Sequence, residues 1–305
     1  MLVWLPTQEL ADGLGSLGGV ELEVVPVLDS RSLPPSADRV EVVVPPHGAA
    51  RAALLEALAR LPRLRVVQSM SAGVEGVLGA VPDGVSLVNA RGVHTSSTSE
   101  WVCAAVLGCQ RELPAFVRAQ GEGRWEPRVT GTLDQATVLI IGAGDIGQAV
   151  AARLEPFGCR VQRVARRARD GVEAVDALPR LLPESDVVVL VVPLTVETTR
   201  LVDADFLASM RDGALLVNAS RGAVVDTQAL LRELLAQRLR AALDVTDPEP
   251  LPPGHPLWTA PGLLLTPHVG GAVSTRPARL VAMLADRLPR WAAGEQLDRV
   301  VTGPY

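Results

Sequence analysis

The segment Val138-Leu139-Ile140-Ile141-Gly142-Ala143-Gly144-Asp145-Ile146-Gly147 runs an apolar strand pattern into G-x-G-x-x-G, with a helical stretch from 148 to 157 behind it. Glycines at this spacing, between a strand and a helix, suit the pyrophosphate of a dinucleotide. Gly142 allows a tight turn, Gly144 lets backbone approach the phosphates, and Gly147 lets the helix pack on the strand. The start of that helix, at Asp145 and Ile146, offers N–H groups and a positive dipole end to an anion. A carboxylate at Asp145 is favourable there only if it points to solvent.

A second strand pattern, 159–164, ends about twenty residues past the glycines, where an acid ordinarily holds the ribose 2′-hydroxyl of NAD. This chain has Ala165, then Arg166, Arg167 and Arg169, with no carboxylate before Asp170. Guanidinium groups form charge-assisted hydrogen bonds with a phosphate. NADP(H) is therefore expected over NAD(H), with NAD(H) possible.

Three further segments lie just past the ends of strand patterns, where ligands bind in open α/β sheets. They are Val217-Asn218-Ala219-Ser220-Arg221-Gly222, Leu243-Asp244-Val245-Thr246-Asp247-Pro248-Glu249-Pro250 and Leu265-Thr266-Pro267-His268-Val269-Gly270-Gly271. With Ser71-Ala72-Gly73-Val74, Pro193-Leu194-Thr195-Val196-Glu197-Thr198-Thr199 and His255-Pro256-Leu257-Trp258, they follow one another at family spacing. On these motifs the chain resembles, over nearly its whole length, the D-isomer-specific 2-hydroxyacid dehydrogenases. That family includes glyoxylate/hydroxypyruvate reductases and phosphoglycerate dehydrogenases.

The resemblance implies roles for Arg221, Glu249 and His268, and each role has a physical reason. A guanidinium grips the carboxylate and ketone oxygens of a 2-oxo acid with a fixed fork. Hydride addition to the carbonyl carbon builds negative charge on its oxygen, to which an imidazolium at His268 donates a proton. A carboxylate at Glu249 favours that charged form and orients the ring. The implied reaction is a 2-oxo acid plus NADPH and a proton giving the D-2-hydroxy acid and NADP⁺. The resemblance further implies that Asp244 contacts the nicotinamide end of the cofactor. Pro193, Ser220 and Gly270 join the cofactor site, and the backbone at Ala72 and Gly73 holds the substrate carboxylate. It also implies a homodimer, for which the helix around Trp101 and the loop around Trp125 are the expected surface.

Some alternatives stay open. One is a phosphoglycerate dehydrogenase-like NAD enzyme. Another is a nucleotide-sensing protein like the corepressors that resemble this family, although an intact Arg-Glu-His set argues for turnover. Formate and phosphite dehydrogenases are disfavoured, because the first typically carry Gln at the Glu249 position and the second a lysine that this chain lacks. His255 is expected to be structural. His47 and His94 could face substrate or cofactor, with packing the favoured role for His94.

Positioning these residues calls for an α/β fold. Strand patterns at 2–5, 22–27, 40–44, 64–68 and 86–89, with an amphipathic helix at 49–61, read as one small doubly wound unit. A hydroxyl-rich segment from Thr95 to Ser99 suits the start of a helix running to about residue 112. After the dinucleotide motif, strands are expected at 186–192, 214–218, 240–244 and 263–266, and a long helix at 274–293. The expected architecture is two doubly wound domains. A flavodoxin-like substrate domain is built from both chain ends (1–92 and 274–305), and a Rossmann dinucleotide-binding domain covers 93–273.

Composition narrows the classes. The 305 residues are 48% apolar with a net charge of −5. No run of about eighteen apolar residues exists to span a bilayer, and with this net charge and no acidic or basic tail nucleic acid is not expected as a partner. No secretory signal is seen. Cys103, Cys109 and Cys159 lack metal-type spacing and suit a reducing compartment, so the cytoplasm is expected and no metal. The chain has no lysine, which rules out Schiff-base catalysis and a P-loop ATPase.

Overall fold

Short apolar runs separated by helices build two parallel sheets. The computed structural model describes residues 1–26, 32–46 and 50–301, which divide into two units, 1–94 with 274–301 and 95–273. In the first unit the strands are β1 (Leu2–Leu5), β2 (Glu21–Val24), β3 (Val40–Val43), β4 (Val66–Gln68) and β5 (Ser86–Val88). Their order is β2-β1-β3-β4-β5, all parallel, the flavodoxin-like arrangement.

Helix Arg276–Ala292, from the far end of the chain, belongs to this first unit. Leu280, Leu284, Leu288 and Trp291 make one apolar stripe and pack with Val3, Leu5, Leu10 and Leu14. Each buried leucine contributes about 1.5–3 kcal/mol relative to exposure. The same helix buries Arg287, whose Nη1 donates to Gln68 Oε1 and to the Asn89 carbonyl, both at 2.9 Å. Removal from water pushes the Arg287 pKa down.

The second unit contains β6 (Thr137–Ile141), β7 (Arg160–Ala165), β8 (Glu173–Ala174), β9 (Val187–Leu190), β10 (Leu215–Asn218), β11 (Arg240–Leu243) and β12 (Leu263–Leu265). The order β12-β11-β10-β9-β6-β7-β8 is parallel throughout and reverses direction beside β6, as in a Rossmann sheet. Alternate residues feed two cores. Val138, Ile140, Val187 and Val189 face one, and Leu139, Ile141, Val188 and Leu190 face the other. Burial on both faces explains why these strands read as unbroken apolar runs.

Several boundaries differ from the sequence expectation. The expected helix at 49–61 is an α-helix only over Ala50–Ala57, followed by a 3₁₀ turn at Leu58–Arg60. The strand expected at 22–27 is Glu21–Val24, and Val27 lies outside the described residues. Helix Thr95–Gln110 ends two residues early, and a separate helix, Leu113–Gly121, follows with Pro114 near its start. The short strand β8 had no sequence signal, since two residues are too few to carry a period. Among the described residues no helix is long and apolar enough to cross a membrane.

Candidate active site

The glycine turn after β6 is set by close backbone contact. Gly142 has φ +114, and a Cβ there would sit 2.4 Å from the Val191 carbonyl oxygen. A Cβ at Gly147 would sit 1.9 Å from the Gly142 carbonyl oxygen, so only glycine lets the helix approach. At Gly144 a Cβ would meet nothing within 4 Å. Helix Asp145–Leu154 begins there with Gly144 as its cap residue and no side-chain cap. Open space beside an uncapped helix start fits a pyrophosphate, and Asp145 and Ile146 form the first turn.

β7 ends at Ala165, and Arg166 and Arg167 stand exposed just beyond it. Arg169 folds back and donates to the Ala143 carbonyl of the glycine turn, a contact that sequence spacing alone did not foretell. Across from Arg166, Glu197 is held below the usual carboxylate range. Hydrogen bonding from Thr195 is the main cause, and Arg166 adds a smaller electrostatic pull. Pro193 lies in this same loop, where its carbonyl accepts from Thr198 Oγ1 at 2.6 Å.

Arg221, Glu249 and His268 follow β10, β11 and β12, three adjacent strands in register from Asn218 to Leu243 to Leu265. Their loops therefore emerge side by side at one end of the sheet. The Arg221 turn lies directly on the Glu249 loop, because a Cβ at Gly222 would fall 1.9 Å from the Thr246 carbonyl oxygen. The Glu249 loop is tied further by Thr227 Oγ1 donating to the Asp247 carbonyl (2.9 Å) and Thr246 Oγ1 to that of Pro248 (2.8 Å). Within it Glu249 Oε1 meets His268 Nδ1 at 2.6 Å, with both side chains close to half exposed. That contact leaves Nε2 as the ring atom free to face a substrate.

Asn218, given no role from the sequence, holds the Arg221 turn. Its Oδ1 accepts from Ser220 N at 2.9 Å and its Nδ2 donates to the Arg221 carbonyl at 2.9 Å. Ser220, expected at the cofactor, is buried, and its Oγ accepts from Val192 N at 3.1 Å. Asp244, expected at the nicotinamide, is only 4% exposed. Its carboxylate accepts from Thr266 Oγ1, Val269 N and Gly270 N, at 2.7, 2.8 and 2.8 Å. Gly270 is correspondingly tight, with a would-be Cβ 2.9 Å from Asp244 Oδ2.

Ala72 and Gly73 are half-buried in the first unit, in the loop after β4. Ser69 Oγ accepts from Ser71 N at 3.0 Å, and the His94 ring meets the Met70 carbonyl at 3.1 Å. His94 thus braces this loop through a polar contact. His255 caps a 3₁₀ turn by accepting from Leu257 N at 3.2 Å. His47 lies outside the described residues. Trp101 is partly buried against the second unit's core, whereas Trp125 is 95% exposed. Among the described residues no group of three or more His, Cys, Asp or Glu could hold a metal.

Comparison with known proteins supports the family that the motifs suggest. The NAD binding domain of the D-isomer specific 2-hydroxyacid dehydrogenases matches residues 103–270. A glyoxylate reductase/hydroxypyruvate reductase of Mus musculus is 34% identical over 77% of this chain and 76% of its own length. A D-isomer specific 2-hydroxyacid dehydrogenase from Xanthobacter autotrophicus Py2, solved with NADPH and MES, is 31% identical. It superposes with a TM-score of 0.84 over 99% of this chain and 98% of its own. An NADPH-dependent glyoxylate/hydroxypyruvate reductase from Sinorhizobium meliloti, solved with NADP and malonate, is 25% identical with a TM-score of 0.81 over 99% and 96%.

Proposed function

The chain belongs to the D-isomer-specific 2-hydroxyacid dehydrogenase family, and from that premise we propose that it reduces a small 2-oxo acid to the D-2-hydroxy acid with NADPH. The observation that carries this reading is the 2.6 Å contact between Glu249 and His268, beside the Arg221 turn at the carboxyl end of the sheet. A nicotinamide cofactor held by Gly142, Gly144, Asp145, Ile146 and Gly147 supplies the hydride. Arg221 then binds and orients the 2-oxo acid through its fork of N–H donors. The Glu249 carboxylate accepts from His268 Nδ1–H and so turns Nε2 toward the carbonyl oxygen. His268 gives that oxygen its proton, and in the reverse direction takes the hydroxyl proton back. In the same reading Ala72 and Gly73 bind the substrate carboxylate through backbone.

NADPH is preferred over NADH in this reading because Ala165 offers no acid to a ribose hydroxyl while Arg166 and Arg167 stand free to pair with a 2′-phosphate. The same substitution argues against a phosphoglycerate dehydrogenase-like NAD enzyme. A second copy of the chain is the partner proposed for Trp125 and Val129, which are 95% and 99% exposed, since large apolar groups left bare mark association surfaces. Trp125→Ser is expected to shift sedimentation from dimer to monomer. Three cysteines without a disulfide fit a cytoplasmic setting.

The deciding experiment follows NADPH oxidation by absorbance against glyoxylate, hydroxypyruvate, pyruvate, phenylpyruvate and longer 2-oxo acids, repeated with NADH. Turnover that favours NADPH and yields the D-hydroxy acid supports the proposal. Cofactor binding without turnover on any acid overturns it in favour of a nucleotide sensor.

A further inference from the structure

Two polar side chains are buried together in the first unit. Gln68, the last residue of β4, is 0% exposed, and Arg287, on helix Arg276–Ala292, is 4% exposed. A buried guanidinium is costly unless its donors are used. Here Nη1 donates to Gln68 Oε1 and to the Asn89 carbonyl, both at 2.9 Å, and Nε lies 3.6 Å from Asp298 Oδ1. β4 and β5 are neighbours, with Gln68 opposite Val88 at their ends, so this cation grips the exits of both strands. The amide of Gln68 passes the contact on. Its Nε2 donates to the Ser69 carbonyl at 2.6 Å. Ser69 Oγ in turn accepts from Ser71 N at 3.0 Å, and the Ser71 carbonyl accepts from Ala90 N at 3.0 Å. Ala72 and Gly73 follow directly in the chain.

We infer that Gln68 and Arg287 are positioning residues for the substrate. Together they brace the loop whose backbone at Ala72 and Gly73 receives the substrate carboxylate, so the returning helix sets how tightly the 2-oxo acid is held. The inference rests on the reductase reading, in which that loop binds the carboxylate. Packing alone does not call for the pair, since apolar residues of similar volume are commonly as stable as a buried charge. Backbone N–H groups bind a carboxylate only when aimed at it, and a loop tied at its first residue has less freedom to lose on binding. The bridging amide is what makes Gln68 specific. Glutamate in its place would keep an acceptor for Arg287, as an ion pair, but would turn a second oxygen toward the Ser69 carbonyl. Leucine would break both links.

The test compares full-length wild type with Gln68→Glu, Gln68→Leu, Arg287→Met and the double variant Gln68→Leu with Arg287→Met. Turnover gives kcat and KM with NADPH and the best 2-oxo acid, and fluorescence titration gives the NADPH Kd. Hydrogen exchange of the peptide spanning 69–74 reads the loop itself. Each variant is expected to raise KM about tenfold, the scale of one hydrogen bond to a charged group. The kcat and the NADPH Kd should stay within about threefold, as for a loss of binding common to ground state and transition state. Exchange in 69–74 should quicken in step. Gln68→Glu is the sharpest case, because a role in stability alone predicts wild-type KM there, the charge of Arg287 being paired. If Arg287→Met does not fold, the double variant, which leaves neither a buried charge nor an orphaned glutamine, carries the same expectation. Wild-type KM in a folded Gln68→Glu or in the double variant would overturn the inference. So would a fall in kcat or NADPH affinity with KM unchanged. Absence of wild-type turnover on any 2-oxo acid would defeat the reductase reading instead. Exchange then decides the brace by itself, and an unchanged rate in Gln68→Glu overturns it.

Discussion

The glycine turn after β6 and the loops after β10 to β12 work by opposite means. In the first, the proposed phosphate site depends on the absence of side chains. Backbone touches backbone at Gly142 and Gly147, and open space remains at Gly144. In the second, the proposed chemistry rests on Arg221, Glu249 and His268. Neighbours that do no chemistry, Asn218, Asp244, Thr246 and Thr266, use their hydrogen bonds to hold those loops. A phosphate needs only N–H groups and room, which a helix start supplies wherever glycines permit the approach. Proton transfer needs one ring atom at one angle, so several elements must agree on a single side chain.

That contrast can be broken from either side. The largest effect is expected from His268→Ala. It should lower kcat by about 10²- to 10⁴-fold, the usual contribution of a general acid, with NADPH binding retained in a fluorescence titration. If NADPH binding fell with it, the two regions would not be separable. Gly147→Ala should do the reverse. Its Cβ would press on the Gly142 carbonyl, and overpacking of about 1–3 kcal/mol corresponds to a loss of NADPH affinity of about 5- to 150-fold.

Arg166→Ser with Arg167→Ser tests the cofactor side more gently. Because both guanidiniums are exposed, we expect the preference for NADPH over NADH to fall only about tenfold, read as a ratio of kcat/KM values. An unchanged ratio would move the 2′-phosphate contact to other residues.

The smallest effect concerns a pure scaffold contact. Asp226 caps helix Thr227–Leu235 by accepting from Ala229 N at 2.9 Å, which lowers its pKa. Asp226→Ala should cost about 1 kcal/mol at neutral pH. The folded state favours the charged carboxylate, so this contribution is complete above the unfolded-state pKa. It is lost as the pH falls through the lower folded value. Denaturation of wild type and variant should therefore converge on acidification, with kcat unaffected at neutral pH.

Much of this molecule was legible in the chain. Apolar runs such as 138–141 and 187–190 announced strands buried on both faces, and the ordered motifs announced the family. The glycine turn could be read residue by residue because its contacts are local and only one residue type allows them. Other features were not legible. Asp244 and Ser220 were expected at the cofactor, and the structure adds loop contacts that the sequence did not foretell, Asp244 with Thr266, Val269 and Gly270 and Ser220 with Val192. A sequence states that a carboxylate or hydroxyl stands after a strand but not which donors surround it. Asn218 sat in view within a recognised segment without any sign that its amide spans the Arg221 turn. Trp101 and Trp125 looked alike as large aromatics near a strand domain, and only packing separated the partly buried one from the bare one.

Taken alone, the sequence determined what is local or periodic. It set the strand and helix alternation, the glycine turn, the missing acid at Ala165 with its arginines, and the identities of Arg221, Glu249 and His268. Tertiary structure decided which of these meet. Residues 221, 249 and 268 come together only because β10, β11 and β12 lie side by side in register. The left-handed turn at His268 lies where Thr266, Val269 and Gly270 converge on a carboxylate more than twenty residues earlier in the chain. Such contacts depend on how distant segments pack, and no pattern along the chain encodes a hydrogen-bond partner across a sheet.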